Sequence, residues 1–137
     1  MTYVKKGGKH GKGYVYGFKE IDPADWFYNC HFYKDPVMPG SLGLEAMLQA
    51  MQAFSILENL GDKYRNPCFK QLENHQTIWK YRGQIVPDNT CMSLEIHITS
   101  ITENNNQTVV IGEGSLWKEN IRIDEIKNLA FAITEAE

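Results

Sequence analysis

A chain of 137 residues, 42% hydrophobic and 23% charged, is long enough to bury one core and too apolar to stay disordered. Fourteen basic against seventeen acidic residues leave a net charge of −3, which argues against a nucleic-acid binder. Three cysteines at irregular spacing (Cys30, Cys68, Cys91), with no C-x-x-C pair, argue against a disulfide framework or a zinc site and point to a reducing compartment.

The first dozen residues carry four lysines and three glycines and read as a loop after a short strand. Gly13–Ile21 has the aromatic and β-branched content of a strand. Asp22-Pro23-Ala24-Asp25 predicts an N-cap with proline in the first turn, opening a short helical turn through Trp26 and Phe27. His31–Pro39, with two prolines, is a constrained loop. From Gly40-Ser41 the period changes: Leu44, Met47, Leu48, Met51, Phe54 and Leu57 predict a helix of four to five turns. Ala46, Ala50 and Ala53 extend its apolar surface, predicting a helix wrapped by other structure and stopped at Gly61.

Beyond it, Thr77–Ile85, Thr90–Thr102, Thr108–Lys118 and Ile121–Ala132 read as strands, with turns at Pro87-Asp88-Asn89, Glu103–Asn106 and Glu119-Asn120. One buried helix followed by four antiparallel-looking strands, with one strand before it, is an α+β arrangement, expected here as one domain over residues 1–137. The apolar stretch Leu42–Leu60 is interrupted by Glu45, Gln49, Gln52 and Glu58, so no membrane span is expected. With no basic-then-apolar leader, the expected location is the cytoplasm.

The chemistry concentrates in Trp26–Gln52. His31 opens the proline-stiffened loop, and Glu45 lies early in the helix. Between them Pro39-Gly40-Ser41 puts backbone N–H groups at a helix N-terminus, where unpaired donors and the positive dipole end suit a developing oxyanion. An imidazole, a carboxylate and such a donor are the parts needed to abstract a proton beside a carbonyl. Each also has a plainer role: a structural histidine, a dipole-stabilising Glu, glycines for turn chemistry and close packing. The plainer role is the expectation for His10, His75 and His97, and the Met stripe reads first as core.

The run His31-Phe32-x-x-Asp35-Pro36-Val37-Met38-Pro39-Gly40-Ser41-Leu42-Gly43-Leu44-Glu45-Ala46-Met47-x-Gln49 resembles the active-site signature of the β-hydroxydecanoyl-acyl-carrier-protein dehydratase family. Trp79-Lys80-Tyr81-Arg82-Gly83-Gln84 and Gly114-Ser115-Leu116-Trp117 also resemble the dehydratase domains of polyunsaturated fatty acid synthases and iterative polyketide synthases. The resemblance implies the hotdog fold, in which an antiparallel sheet wraps one long helix. It implies His31 as the catalytic histidine, Glu45 as the catalytic acid and the Gly40 N–H as the oxyanion donor. Gln49, one turn past Glu45, is placed to orient the carboxylate. The bacterial dehydratase-isomerase has aspartate where this chain has Glu45, a departure that bears on double-bond migration rather than on dehydration.

By the same resemblance the substrate is a 3-hydroxyacyl thioester on an acyl carrier protein, and no metal or organic cofactor is required. The sites would be shared across a two-fold homodimer, with His31 of one chain facing Glu45 of the other. An acyl tunnel would be lined by Phe32, Met38, Met47 and Trp79, with Lys34, Lys80 and Arg82 as the basic patch for the acidic carrier. Two alternatives stand beside this reading: a hotdog thioesterase, and a non-catalytic hotdog that binds acyl chains or dimerises a larger synthase.

Overall fold

The computed structural model describes residues 1–104 and 106–137. Strands β1 (Thr2–Val4) and β2 (Tyr14–Glu20) precede a 3-10 turn at Trp26–Asn29 and helix α1 (Gly40–Leu57). Then come the short β3 (Pro67–Lys70) and β4 (Ile78–Tyr81), and the long β5 (Cys91–Glu103), β6 (Gln107–Lys118) and β7 (Ile121–Glu135). All pairings are antiparallel, in the order β1-β2-β5-β6-β7-β3, and β4 lies on the same edge of β7 as β3.

The alternation in β5 sends Met92, Leu94, Ile96 and Ile98 inward. They meet the inner face of α1, where Met47, Met51 and Phe54 are buried with Val15, Val110, Leu116, Ile126 and Phe131. Breaks in register at Ile98/Ser100, Gly112/Gly114 and Leu116/Trp117 mark bulges. Bulges bend and twist a sheet, which lets these strands curl around the helix. At Gly13 a side chain would fall 2.5 Å from the Phe54 ring, so the sheet approaches α1 closely only because that residue is glycine.

Several expectations need correcting. The helix is covered on one face only; Ile56, on the other with Glu45 and Gln49, is 64% exposed. It ends at Leu57, with Asn59 (φ 58°) rather than Gly61 in the left-handed position. Leu60 N–H donates to the Ser55 carbonyl at 3.0 Å and Asn59 N–H to that of Ile56 at 3.1 Å, the paired bonds of a Schellman ending. Asp22 caps no helix: its carboxylate accepts from Ala24 N–H in a local turn, and Asp25 precedes the 3-10 turn.

The strand expected over Thr77–Ile85 is only Ile78–Tyr81, because the chain after it turns to receive the His31 loop through Ile85. Strand β3 carries no sequence signal: four residues opening on proline show no readable alternation. The turn expected at Glu103–Asn106 contains Asn105, which lies outside the described residues. Among those residues, no helix is long and apolar enough to cross a membrane.

Candidate active site

The 3-10 turn ends where His31 begins, and its Phe27 carbonyl accepts the His31 backbone N–H at 2.9 Å. The Pro-rich loop is then locked on itself. Val37 N–H donates to the His31 carbonyl at 2.8 Å, while the Val37 carbonyl lies 3.0 Å from His31 Nδ1. A carbonyl can only accept, so Nδ1 carries the proton and neutral His31 presents an unprotonated Nε2. Met38 N–H donates to the Ile85 carbonyl at 2.7 Å and ties the loop to the chain beyond β4. Phe32 stacks on the imidazole with ring centroids 3.8 Å apart.

Pro39 precedes α1, and no side chain caps the helix. The first-turn N–H groups beginning at Gly40 are therefore left without a side-chain acceptor. A β-carbon at Gly40 would lie 3.0 Å from the Tyr81 ring. His31, Phe32, Met38, Gly40, Trp79 and Tyr81 together line a cavity of about 300 Å³. An imidazole acceptor and a helix N-terminus thus meet at one apolar hollow.

Glu45 and Gln49 lie elsewhere. Five residues past Gly40, a side chain points about 140° further round the helix. Glu45 is exposed, its carboxylate accepting from Gln49 Nε2 at 3.1 Å. Gln49 also borders a second groove of about 310 Å³, between α1 and Phe18, Met92 and Leu94. Met47, expected in the tunnel, is fully buried in the core and lines neither hollow; it faces the sheet three residues before Ala50 and four before Met51 on the inner face of α1. Lys34, Lys80 and Arg82 are exposed, and none of them lines the first cavity.

The other histidines have structural partners. His10 pairs with Glu113 at 3.0 Å, His75 with the Asn128 carbonyl at 2.7 Å, and His97 Nδ1 accepts from Lys9 N–H at 3.0 Å. Among the described residues, no group of three His, Cys, Asp or Glu could hold a metal ion.

The profile of the FabA-like domain matches residues 1–127. The chain belongs to the FabA-like domain family. This FabA-like domain is 38% identical over 139 residues to a subunit of the polyunsaturated fatty acid synthase of a Thraustochytrium species. That match covers all of the present chain but 9% of the relative, so the chain spans about a tenth of that protein. Among solved structures, a probable thioesterase from Bartonella henselae matches with a TM-score of 0.57 at 10% identity, covering 88% of this chain and 90% of that one. That likeness concerns the fold alone: a curled antiparallel sheet around one helix, the hotdog.

Two groups, one lining the cavity and one buried on β7 opposite it, escape a reading of the sequence. Tyr81 could have been found, since Trp79 and Tyr81 alternate on one strand face. Asp124 could have been suspected from a clash of parity. Ile123 and Ile126 are both inward, which an unbroken strand cannot arrange, so a bulge must lie between β6 and β7 and turn Asp124 inward as well.

Proposed function

We propose that this FabA-like domain eliminates water from 3-hydroxyacyl thioesters carried on an acyl carrier protein, giving trans-2-enoyl thioesters. The observation that carries the reading is the His31 cavity: an imidazole whose Nδ1–H is fixed on the Val37 carbonyl, opposite an uncapped helix N-terminus at Gly40. The thioester carbonyl would accept from the Gly40 N–H, which stabilises enolate-like charge. His31 Nε2 takes the α-proton, the freed electron pair forms the Cα–Cβ double bond, and the β-hydroxyl leaves as water with a proton from Glu45. Aligned acid–base help of this kind contributes roughly 10²–10⁴-fold.

Glu45 lies outside its own chain's cavity, which supports a site completed by a second copy. Strand β4 forms part of the sheet edge beside that cavity, with Ile78, Trp79 and Tyr81 all exposed. A two-fold partner seated there would bring its own Glu45–Gln49 pair toward His31. The similarity to a synthase supports a synthase setting, and the exposed Lys34, Lys80 and Arg82 suit an acidic carrier.

The test is product identification by mass, using 3-hydroxyacyl, trans-2-enoyl and saturated acyl thioesters of several lengths. Interconversion of the first two supports dehydration. Release of free acid from the saturated thioester, with no enoyl product from the 3-hydroxy compound, would make the protein a thioesterase. No turnover at all would leave a non-catalytic acyl-binding hotdog.

A further inference from the structure

Residues 5–12 join β1 to β2 and fold over the outer face of the sheet, where Lys9 meets His97 and His10 meets Glu113. His97 points outward because its neighbours Ile96 and Ile98 are both fully buried. The two contacts make opposite demands on their rings. A backbone N–H can only donate, so Lys9 N–H, 3.0 Å from His97 Nδ1, requires a neutral imidazole with its proton on Nε2. A carboxylate can only accept, so Glu113 Oε1, 3.0 Å from His10 Nε2, requires an N–H that the charged ring also carries. The hydrogen bond from His10 holds the Glu113 carboxyl below its usual range. Acid therefore strengthens the second contact and destroys the first, since charged His97 would aim one N–H at another.

The surroundings of His97 are all polar. On its own strand Glu95 Oε2 lies 4.0 Å from Nε2. From β2 the Tyr14 ring stands 5.2 Å away and donates its hydroxyl to the same Glu95 oxygen at 3.1 Å. On β6 Glu113 is the residue directly opposite. Arg122, Glu125 and Lys127 of β7 share with Lys9 and His97 a polar hollow of about 220 Å³. Among the described residues, three carboxylates and three cations line that hollow, so the neutral ring leaves its charge balanced. The segment is also built to bend: Gly8 and Gly11 have φ of 84° and 66°. A β-carbon at Gly8 would lie 3.0 Å from His97 Nδ1, so only glycine lets the backbone rest on the ring.

We propose that residues 5–12 form a pH-governed clasp, fastened at both histidines while His97 is neutral and held by His10 alone once His97 is charged, with Gly8 and Lys9 then mobile. The clasp is separate from the chemistry of the His31 cavity, and its test needs no turnover.

The test is nuclear magnetic resonance of the ¹⁵N-labelled protein between about pH 8 and about pH 5, the range in which histidines charge. The Lys9 amide proton should move upfield as its hydrogen bond is lost, with the midpoint of the His97 ring protons. The ¹⁵N NOE of Gly8 and Lys9 should fall over the same range. His97→Asn, whose side-chain oxygen can accept from Lys9 N–H and does not titrate, should keep that NOE high throughout, and His97→Ala should leave it low at both ends. His10→Gln should leave the Lys9 response in place, because the two contacts titrate separately. A His97 ring that stays neutral across the range would overturn the proposal. So would a Lys9 NOE that holds while His97 charges, or an Asn variant that behaves as the wild type or as the Ala variant does.

Discussion

A backbone carbonyl sets the tautomer of His31. Because the Val37 carbonyl accepts a hydrogen bond from Nδ1–H, Nε2 is left free to exchange a proton; in the proposed mechanism it accepts the α-proton in dehydration and returns it in hydration, so one group serves both directions. His31→Ala should therefore remove both activities by roughly 10²-fold or more, with an unchanged far-UV circular dichroism spectrum. Near-wild-type turnover would remove this histidine from the mechanism. Glu45→Gln keeps the contact with Gln49 in shape but cannot pass a proton, so elimination should fall strongly while binding of a saturated thioester changes little.

Asp124 gives a residue-scale prediction that needs no substrate. Burial pushes its carboxyl up to about 6, against the opposing pull of the Trp79 indole, and the other titratable group facing it is the Tyr81 hydroxyl. The unfolded group titrates near 4. Between those values the folded state holds the extra proton, so Asp124's contribution to stability falls as pH rises from about 4 to about 6 and then levels off. Asp124→Asn should gain on wild type over that window by up to roughly 3 kcal/mol, read as the difference in denaturant midpoints at pH 4.5 and 7.5. A constant difference across the window would contradict it.

At the scale of elements, helix α1 is legible because its period is 3.6 and its Met and Phe residues repeat on one face, and β5 because its alternation is strict. The ends are less so. Asn59 takes the left-handed position that glycine usually fills, and nothing in the chain distinguishes it from Gly61 two residues on. Asn59→Gly should be neutral or slightly stabilising, whereas Asn59→Val should cost about 1–2 kcal/mol in thermal or chemical unfolding, since a β-branched residue resists that backbone. Phe54→Ala should cost about 3–5 kcal/mol, because its ring fills the space beneath Gly13.

At the scale of the whole molecule, the run from His31 to Gln49 names the participants but not their distribution. Spacing on a helix separates Gly40 from Glu45 around the axis, yet only the folded sheet reveals that His31 sides with Gly40. The methionine stripe reads correctly as core, and it is the family resemblance that places Met47 in a tunnel instead. If two copies complete each other's sites, mixing His31→Ala with Glu45→Ala subunits in equal amounts should restore up to roughly a quarter of wild-type activity, because half of the dimers are hybrids and each hybrid carries one intact pair. Subunits shown to exchange without any rescue would exclude the shared arrangement, as would full activity in a sedimenting monomer.

Strand β7, at fifteen residues, is the longest in the protein, and its outer edge is held by two short strands. Strand β4 covers Asp124–Lys127 and β3 covers Ala132–Glu135. Between them, among the described residues, no strand pairs with positions 128–131 on that edge; the Asn128 carbonyl is met instead by the side chains of His75 and Thr77. The middle of a strand is ordinarily where amide protons are slowest to exchange with solvent. Here the order should invert: outward-facing amides between Asn128 and Phe131 should exchange before those at the flanks, making the centre of the longest strand the place where water first enters the sheet.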